Sequence, residues 1–282
     1  KYKPHSFQLF NIDLLSIYYN CKFSSGLYML NANEFLSELY SRLDALNPRY
    51  VSGQIAVDEF KNNELGKHFI NQYKTFLPTN KNAKILDIGV GEGWFASLCF
   101  NLGYQHIEMA DFGCSEKFSK IQESLSEIAG IHDIETSIKN LLLQDEFINK
   151  FDFIHLSHVI EHIPKYDLID TMDSLNGALK NRGELFLRAP NMLGPTALVS
   201  LYCTGGHEYG FVPSNLRQFL LIANFEDIKF HKIKSTNKSI GQFIGNLIRS
   251  VYSFNAKIKY RAFEGTYPET VEPELVVSGK KI

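Results

Sequence analysis

Residues 85–93 read Ile85-Leu86-Asp87-Ile88-Gly89-Val90-Gly91-Glu92-Gly93, and this stretch limits the fold more than any other. Residues 83–88 are a short apolar run with an acid near its end, the pattern of a buried strand. Three alternate glycines follow, which let the backbone turn sharply and lie close to a ligand. A helix is expected from 94 to 102, ended by Gly103. Its N-terminus faces the same turn and adds unpaired amide donors to it.

The rest of the chain repeats this alternation. Further strands are expected over 106–110, 133–139, 151–156, 184–188, 225–233 and 274–279, and helices over 115–129, 165–180, 215–223 and 238–256. Ser214 is the expected N-cap of the helix at 215–223. Strands alternating with helices predict a doubly wound, Rossmann-like α/β fold. Its seven-stranded sheet is mostly parallel, and ligands bind at the carboxyl ends of the strands. Residues 1–78 form a separate extension in this reading. Helical spacing is visible over 33–46 and 57–76, after an aromatic-rich stretch over 1–30. The extension is expected to cover substrate or to form a homodimer contact. Residues 79–282 form the ligand-binding domain, with a cap insertion over about 236–265 before the last strand.

Composition narrows the function. With 44% hydrophobic residues and 21% charged, the chain can bury a core. A formal charge of −2 gives no basic surplus for gripping nucleic acid. Cys21, Cys99, Cys114 and Cys203 form no C-x-x-C pair and read as thiols of a reducing compartment. No apolar run reaches the roughly 18 residues of a membrane span. The cytoplasm is therefore the expected location. The chain starts at Lys1 rather than at a methionine, so the absence of a signal peptide weighs little.

The glycine loop alone leaves two cofactors open. Gly91-Glu92-Gly93-Trp94-Phe95-Ala96 satisfies the G-x-G-x-x-G/A form of dinucleotide folds. Asp111 lies 20 residues beyond Gly91, where an acid holds ribose hydroxyls in either case. Asp87 and Glu92, however, place two carboxylates near the loop, and like charges repel a pyrophosphate. A sulfonium cofactor carries no phosphate.

From residue 83 onward the chain resembles the class I S-adenosylmethionine (SAM)-dependent methyltransferases. The resemblance rests on the loop Ile85–Gly93, on Asp111, and on Phe151-Asp152-Phe153-Ile154-His155-Leu156-Ser157-His158-Val159-Ile160-Glu161-His162-Ile163. This last segment is similar to the one after the fourth strand in ubiquinone-type and sugar or natural-product methyltransferases. Gly183-Glu184-Leu185-Phe186-Leu187-Arg188-Ala189-Pro190-Asn191 resembles that subgroup's fifth strand and following loop. The likeness covers roughly 80–235 and the last strand.

What the resemblance implies is specific. SAM is the cofactor and S-adenosylhomocysteine the product. Gly89, Gly91 and Gly93 approach the amino-acid part of SAM, with Asp87 close by. Asp111 holds the ribose and Phe112 lies against adenine, with Asn140 as the nearest amide. Ser157 or His158 lines the sulfonium side.

Histidines supply the candidate base, because transfer of a methyl group to a hydroxyl needs proton removal near neutral pH. His158 and His162 lie after strand four, and His207 lies in Thr204-Gly205-Gly206-His207-Glu208-Tyr209 after strand five. His155, inside the strand, reads as structural. Arg188, Asn191, Tyr209 and His207 are candidate substrate contacts. His158-Val159-Ile160-Glu161-His162 also satisfies the H-x-x-E-H form of inverted zinc peptidases. That chemistry needs one long helix through both histidines. Pro164 opposes it, and no metal is expected.

The acceptor expected from the resemblance is an oxygen of a small molecule or glycan precursor. A sugar hydroxyl or phosphoryl-type group in bacterial surface-polysaccharide synthesis would fit. N-methylation of an amino sugar, NAD-dependent chemistry and non-catalytic SAM binding are the rivals. Nucleic-acid methylation is disfavoured, since Ser157-His158-Val159-Ile160 stands where an Asn/Asp-Pro-Pro-Tyr/Phe motif would be.

Overall fold

The computed structural model describes Leu39 and residues 72–91, 93–112, 129–232 and 240–282. Apart from Leu39 and residue 129, the expected helices over 33–46 and 115–129, and most of that over 57–76, lie outside the described residues. So do the aromatic-rich stretch over 1–30, Glu92, Cys21 and Cys114. Cys99 and Cys203 are free thiols.

Strand β1, Lys84–Ile88, is buried on both faces after its first residue. Helix α1, Trp94–Asn101, follows the glycine loop. Then come β2, His106–Asp111, β3, Gly130–Asp133, and helix α2, Ile138–Leu142. Strand β4 spans Phe151–Ser157 and ends in a 3-10 turn, Ile160–His162. Helix α3, Leu168–Ala178, runs directly into β5, Leu179–Pro190. Helices α4, Ala197–Tyr202, and α5, Pro213–Ile222, precede β6, Phe225–Phe230. Helix α6, Ile240–Glu264, precedes β7, Glu274–Lys281.

The seven strands form one sheet in the order β3-β2-β1-β4-β5-β7-β6. Strands β1 to β5 pair in parallel. β7 inserts antiparallel between β5 and β6. After β1 the chain winds outward through β2 and β3, then returns to β4 on the other side of β1. The order reverses there, so the carboxyl ends of β1 and β4 border a crevice.

Side-chain alternation explains why both faces of the sheet are filled. Leu86, Ile88, Ile154, Leu156, Leu185 and Leu187 pack against α2, α3 and α5 in one core. On the other face Ile85, Phe153 and Phe186 pack with Phe95 and Leu98 of α1 and with Tyr73 and Leu77. Asp87 shares the face of Ile85, so its carboxylate is carried into this second core.

Several boundaries differ from those expected. β3 covers Gly130–Asp133 rather than 133–139, because Glu108 to Asp111 pair with Gly130 to Asp133. Ser137 then caps α2, its hydroxyl accepting from the Asn140 amide at 3.2 Å. Residues 181–183, between the expected helix and strand, are an excursion within β5 between the paired residues Leu179 and Glu184, with Arg182 at φ 63°. Ser214 is not a cap. Pro213 opens α5, and the side-chain oxygen of Asn215 accepts from the Val212 amide at 2.8 Å. The helix before β7 reaches Glu264, beyond the expected 256.

Candidate active site

The glycine loop is held from both neighbouring strands. Gly89, Gly91 and Gly93 have φ of 77°, 55° and 72°, a left-handed region that side chains strongly disfavour. The Gly89 amide donates to the Ala110 carbonyl at 2.9 Å, and the Gly93 amide to Val90 at 2.9 Å. A Cβ on Gly89 would stand 2.3 Å from Cγ2 of Val159, just past β4. A Cβ on Gly91 would meet nothing within 4 Å. The loop therefore packs against the histidine segment at Gly89 and is open at Gly91.

Beneath the loop, Asp87 is 2% exposed and Oδ1 lies 2.8 Å from Nδ1 of His155. The two residues are in register across β1 and β4. Burial raises the Asp87 carboxyl above its ordinary value, and the His155 hydrogen bond opposes that rise. The His155 ring stacks on Phe95 with centroids 3.7 Å apart.

Asp111 closes the end of β2. Its Oδ2 accepts from the Gly91 amide at 3.2 Å and its Oδ1 from the Phe112 amide at 2.8 Å. Burial pushes the carboxyl up, while these amides hold it down. A carboxylate has about four acceptor sites, so each oxygen keeps capacity for a hydroxyl. Phe112 is half-buried against the first core. Asn140 is exposed on α2, and its amide donates to the Thr136 hydroxyl at 2.9 Å.

His158 ends β4 with φ of 56°, a conformation non-glycine residues seldom hold outside constrained sites. Nδ1 lies 3.2 Å from Oε1 of Glu161, and Nε2 lies 3.4 Å from Oε1 of Glu274. Burial alone would lower its pKa, but the two carboxylates outweigh that and push it up to about 9. His158 is thus an imidazolium at neutral pH and has no lone pair with which to accept a proton. This weighs against it as the base.

Arg188 is also committed elsewhere. Its Nε donates to Oε2 of Glu274 at 2.6 Å and its Nη1 to the Tyr73 hydroxyl at 3.2 Å. Tyr73 in turn is hydrogen-bonded to Ser157. Burial would raise the pKa of Glu274, but His158 and Arg188 hold it below the usual value. Arg188 and Ser157 are therefore tied into one chain of polar contacts linking β4, β5 and β7.

His162 and His207 stand together, with ring centroids 4.7 Å apart. Nδ1 of His162 donates to the Gly206 carbonyl at 2.8 Å, and Nδ1 of His207 donates to the Ser200 carbonyl at 2.6 Å. Carbonyls only accept, so each Nδ1 carries a proton. Burial keeps His162 below its ordinary pKa and therefore neutral. The Glu161 carbonyl accepts from the amides of Glu208 and Tyr209 at 2.7 and 3.2 Å, which docks the His207 loop onto the 3-10 turn.

Two further candidates are held by neighbouring residues. Asn191 is fully buried. Its amide donates to Glu272 at 2.8 Å and its oxygen accepts from the Leu193 amide at 3.0 Å. The Tyr209 ring packs edge-on to Phe211 and its hydroxyl accepts from Asn215 at 3.3 Å.

The structure brings the glycine loop, Asp111, His158, His162 and His207 to one edge of the sheet. Sequence reasoning missed Glu274 and Tyr73, which reach the site only through strand order and packing. It read Glu161 as part of a motif without a partner. Among the described residues no helix is long and apolar enough to cross a membrane.

A model of the methyltransferase domain matches residues 63–229. No curated protein matches the chain. Among solved structures, a SAM-dependent methyltransferase from Archaeoglobus fulgidus aligns with a TM-score of 0.56 at 20% identity, over 79% of this chain and 97% of that one. A SAM-dependent methyltransferase from Thermotoga maritima aligns at 0.53 and 15%, over 87% and 99%. The 1,6-didemethyltoxoflavin-N1-methyltransferase of Burkholderia thailandensis, solved with its substrate and S-adenosylhomocysteine, aligns at 0.51 and 13%, over 89% and 86%. At these identities the structural likeness shows the fold alone, whereas the domain match covers more than half of the chain. The chain belongs to the methyltransferase-domain family and has the class I SAM-dependent methyltransferase fold.

Proposed function

We propose that this chain moves the methyl group of SAM to an oxygen of a small molecule or glycan precursor in the cytoplasm. A sugar hydroxyl or phosphoryl-type group in surface-polysaccharide synthesis is the acceptor class we favour. The observation that carries the choice of oxygen is the pair His162 and His207, whose ring centroids lie 4.7 Å apart. Both Nδ1 atoms are held on backbone carbonyls, so Nε2 is the ring atom through which either could take up a proton. A hydroxyl acceptor needs such a base, and positioned bases contribute about 10²–10⁴ in rate.

In this reading Gly89, Gly91 and Gly93 cradle the amino-acid end of SAM above the Asp87–His155 pair. Asp111 takes the ribose hydroxyls and Phe112 borders the adenine. An oxygen lone pair of the acceptor forms a bond to the methyl carbon while the sulfur–carbon bond breaks. Sulfur keeps the bonding electrons and becomes a neutral thioether. The acceptor proton passes to Nε2 of His162 or His207. His158 acts as a positioning residue between Glu161 and Glu274.

Transfer of isotope-labelled methyl from SAM to a panel of sugar hydroxyls, sugar phosphates and amino sugars tests this. Product on an oxygen, with kcat cut at least about 10²-fold in His162→Ala or His207→Ala, is expected. Labelling only of an amino nitrogen, or full rates in both variants, would overturn it.

A further inference from the structure

Three acceptors crowd one point of this site. Glu161, His162 and His207 each place one potential ligand atom within 4.8 Å of the others. With both Nδ1 atoms donating to carbonyls, Nε2 is the atom through which each imidazole could ligate, and a carboxylate offers only lone pairs. A cation placed among them would meet electron pairs from all three side chains.

Glu161 supplies an independent sign. Its side chain is 2% exposed. Oε1 is used by His158, but Oε2 is buried with no hydrogen-bond partner. A buried carboxylate oxygen without a partner is costly, and native structures rarely keep one.

We propose that Glu161, His162 and His207 hold one divalent transition-metal ion of the zinc, cobalt or manganese kind. Two imidazoles with one carboxylate is a common ligand set for such ions. The carbonyls of Gly206 and Ser200 that orient the two rings are the outer partners metal-binding histidines require. The turn Ile160–His162 and the docked His207 loop fix the set before any ion arrives. This ligand set is not the H-x-x-E-H arrangement of inverted zinc peptidases. His158 is not a member: its Nδ1 faces Glu161 and its Nε2 faces Glu274, and a histidine 45 positions beyond His162 takes its place.

Three protein ligands leave a coordination position open. Resting on the methyltransferase reading, an acceptor hydroxyl bound there would lose its proton more readily, and the ion would take over that task from an imidazole.

The test uses the full chain, freed of metal by a chelator, and titrates it with Co2+ and with Zn2+. Visible absorption follows the cobalt and calorimetry follows the zinc. One ion per chain is expected, with affinity at least about tenfold weaker in His207→Ala and Glu161→Gln. Circular dichroism checks that each variant folds, and if Glu161→Gln does not, His207→Ala decides. No saturable one-to-one binding, or binding unchanged in the folded variants, overturns the proposal and leaves a bridging water as the group that satisfies Glu161. S-adenosylhomocysteine titrated into the same samples separates the readings. Cofactor binding without metal binding rejects the ion alone, and metal binding without cofactor binding rejects the cofactor reading alone.

Discussion

Asp87 and His155 meet at 2.8 Å between β1 and β4, directly under the glycine loop and sealed on one side by Phe95. The pair ties the loop-bearing strand to the histidine-bearing one. Removing the imidazole would leave the Asp87 carboxyl buried without its partner. We expect His155→Phe to lower stability by about 1–3 kcal/mol in denaturant unfolding. S-adenosylhomocysteine affinity should fall with it. An unchanged unfolding midpoint would show that the pair holds nothing.

Gly89 and Gly91 should respond differently to alanine. Each would carry a left-handed residue, at about 1–2 kcal/mol. Gly89→Ala would also drive its Cβ into Val159 Cγ2 at 2.3 Å, and a β-branched side chain turns aside poorly. It should therefore be the less stable variant, with part of the loss recovered by adding Val159→Ala. Gly91→Ala meets open space, so its main effect should fall on cofactor affinity, read by calorimetry.

Cofactor binding should weaken with acid sooner than an ordinary carboxylate would predict. Asp111 must be ionised to accept two ribose hydroxyls along with the amides of Gly91 and Phe112, and burial raises its pKa. Affinity is thus retained above that raised value and lost as pH falls through it. In Asp111→Asn, binding should be weaker and flat over the same range. A wild-type affinity that stays level below the usual carboxylate value would contradict the assignment.

Glu108 offers a stability test away from the site. Burial would raise its pKa, but His132 at 2.8 Å and Lys150 at 2.7 Å on Oε2 bring it below the usual value. A lowered folded pKa contributes stability above the unfolded value and loses it as pH drops through the folded one. Glu108→Gln should cost about 1 kcal/mol at neutral pH. The gap should close in acid, as followed by urea unfolding across pH.

Local signals were read well where a few adjacent residues dictate the backbone. The Ile85–Gly93 loop, Asp111 at its strand end and the stop at Gly103 follow from glycine conformations and strand periodicity. β3 was misplaced because Gly130 to Asp133 become a strand only by pairing with β2, and Ser137 was not recognised as a cap. The polar chain through Tyr73, Arg188, Glu274 and His158 was hidden for the same reason. Its members come from four distant segments, and only the antiparallel entry of β7 beside β5 brings Glu274 to the site. That neighbour also bears on His158, whose sequence context suggests a base and whose two carboxylates favour its charged form.

The central claim is that the crevice beside β1 binds a SAM-type cofactor through Asp111 and the glycine loop. Calorimetric titration with S-adenosylhomocysteine, with NAD and NADP alongside and Asp111→Ala in parallel, tests it most directly. One-to-one binding of S-adenosylhomocysteine alone, weakened in Asp111→Ala, is the result predicted. Binding of a nicotinamide cofactor instead, or affinity for S-adenosylhomocysteine unchanged by the substitution, would contradict it.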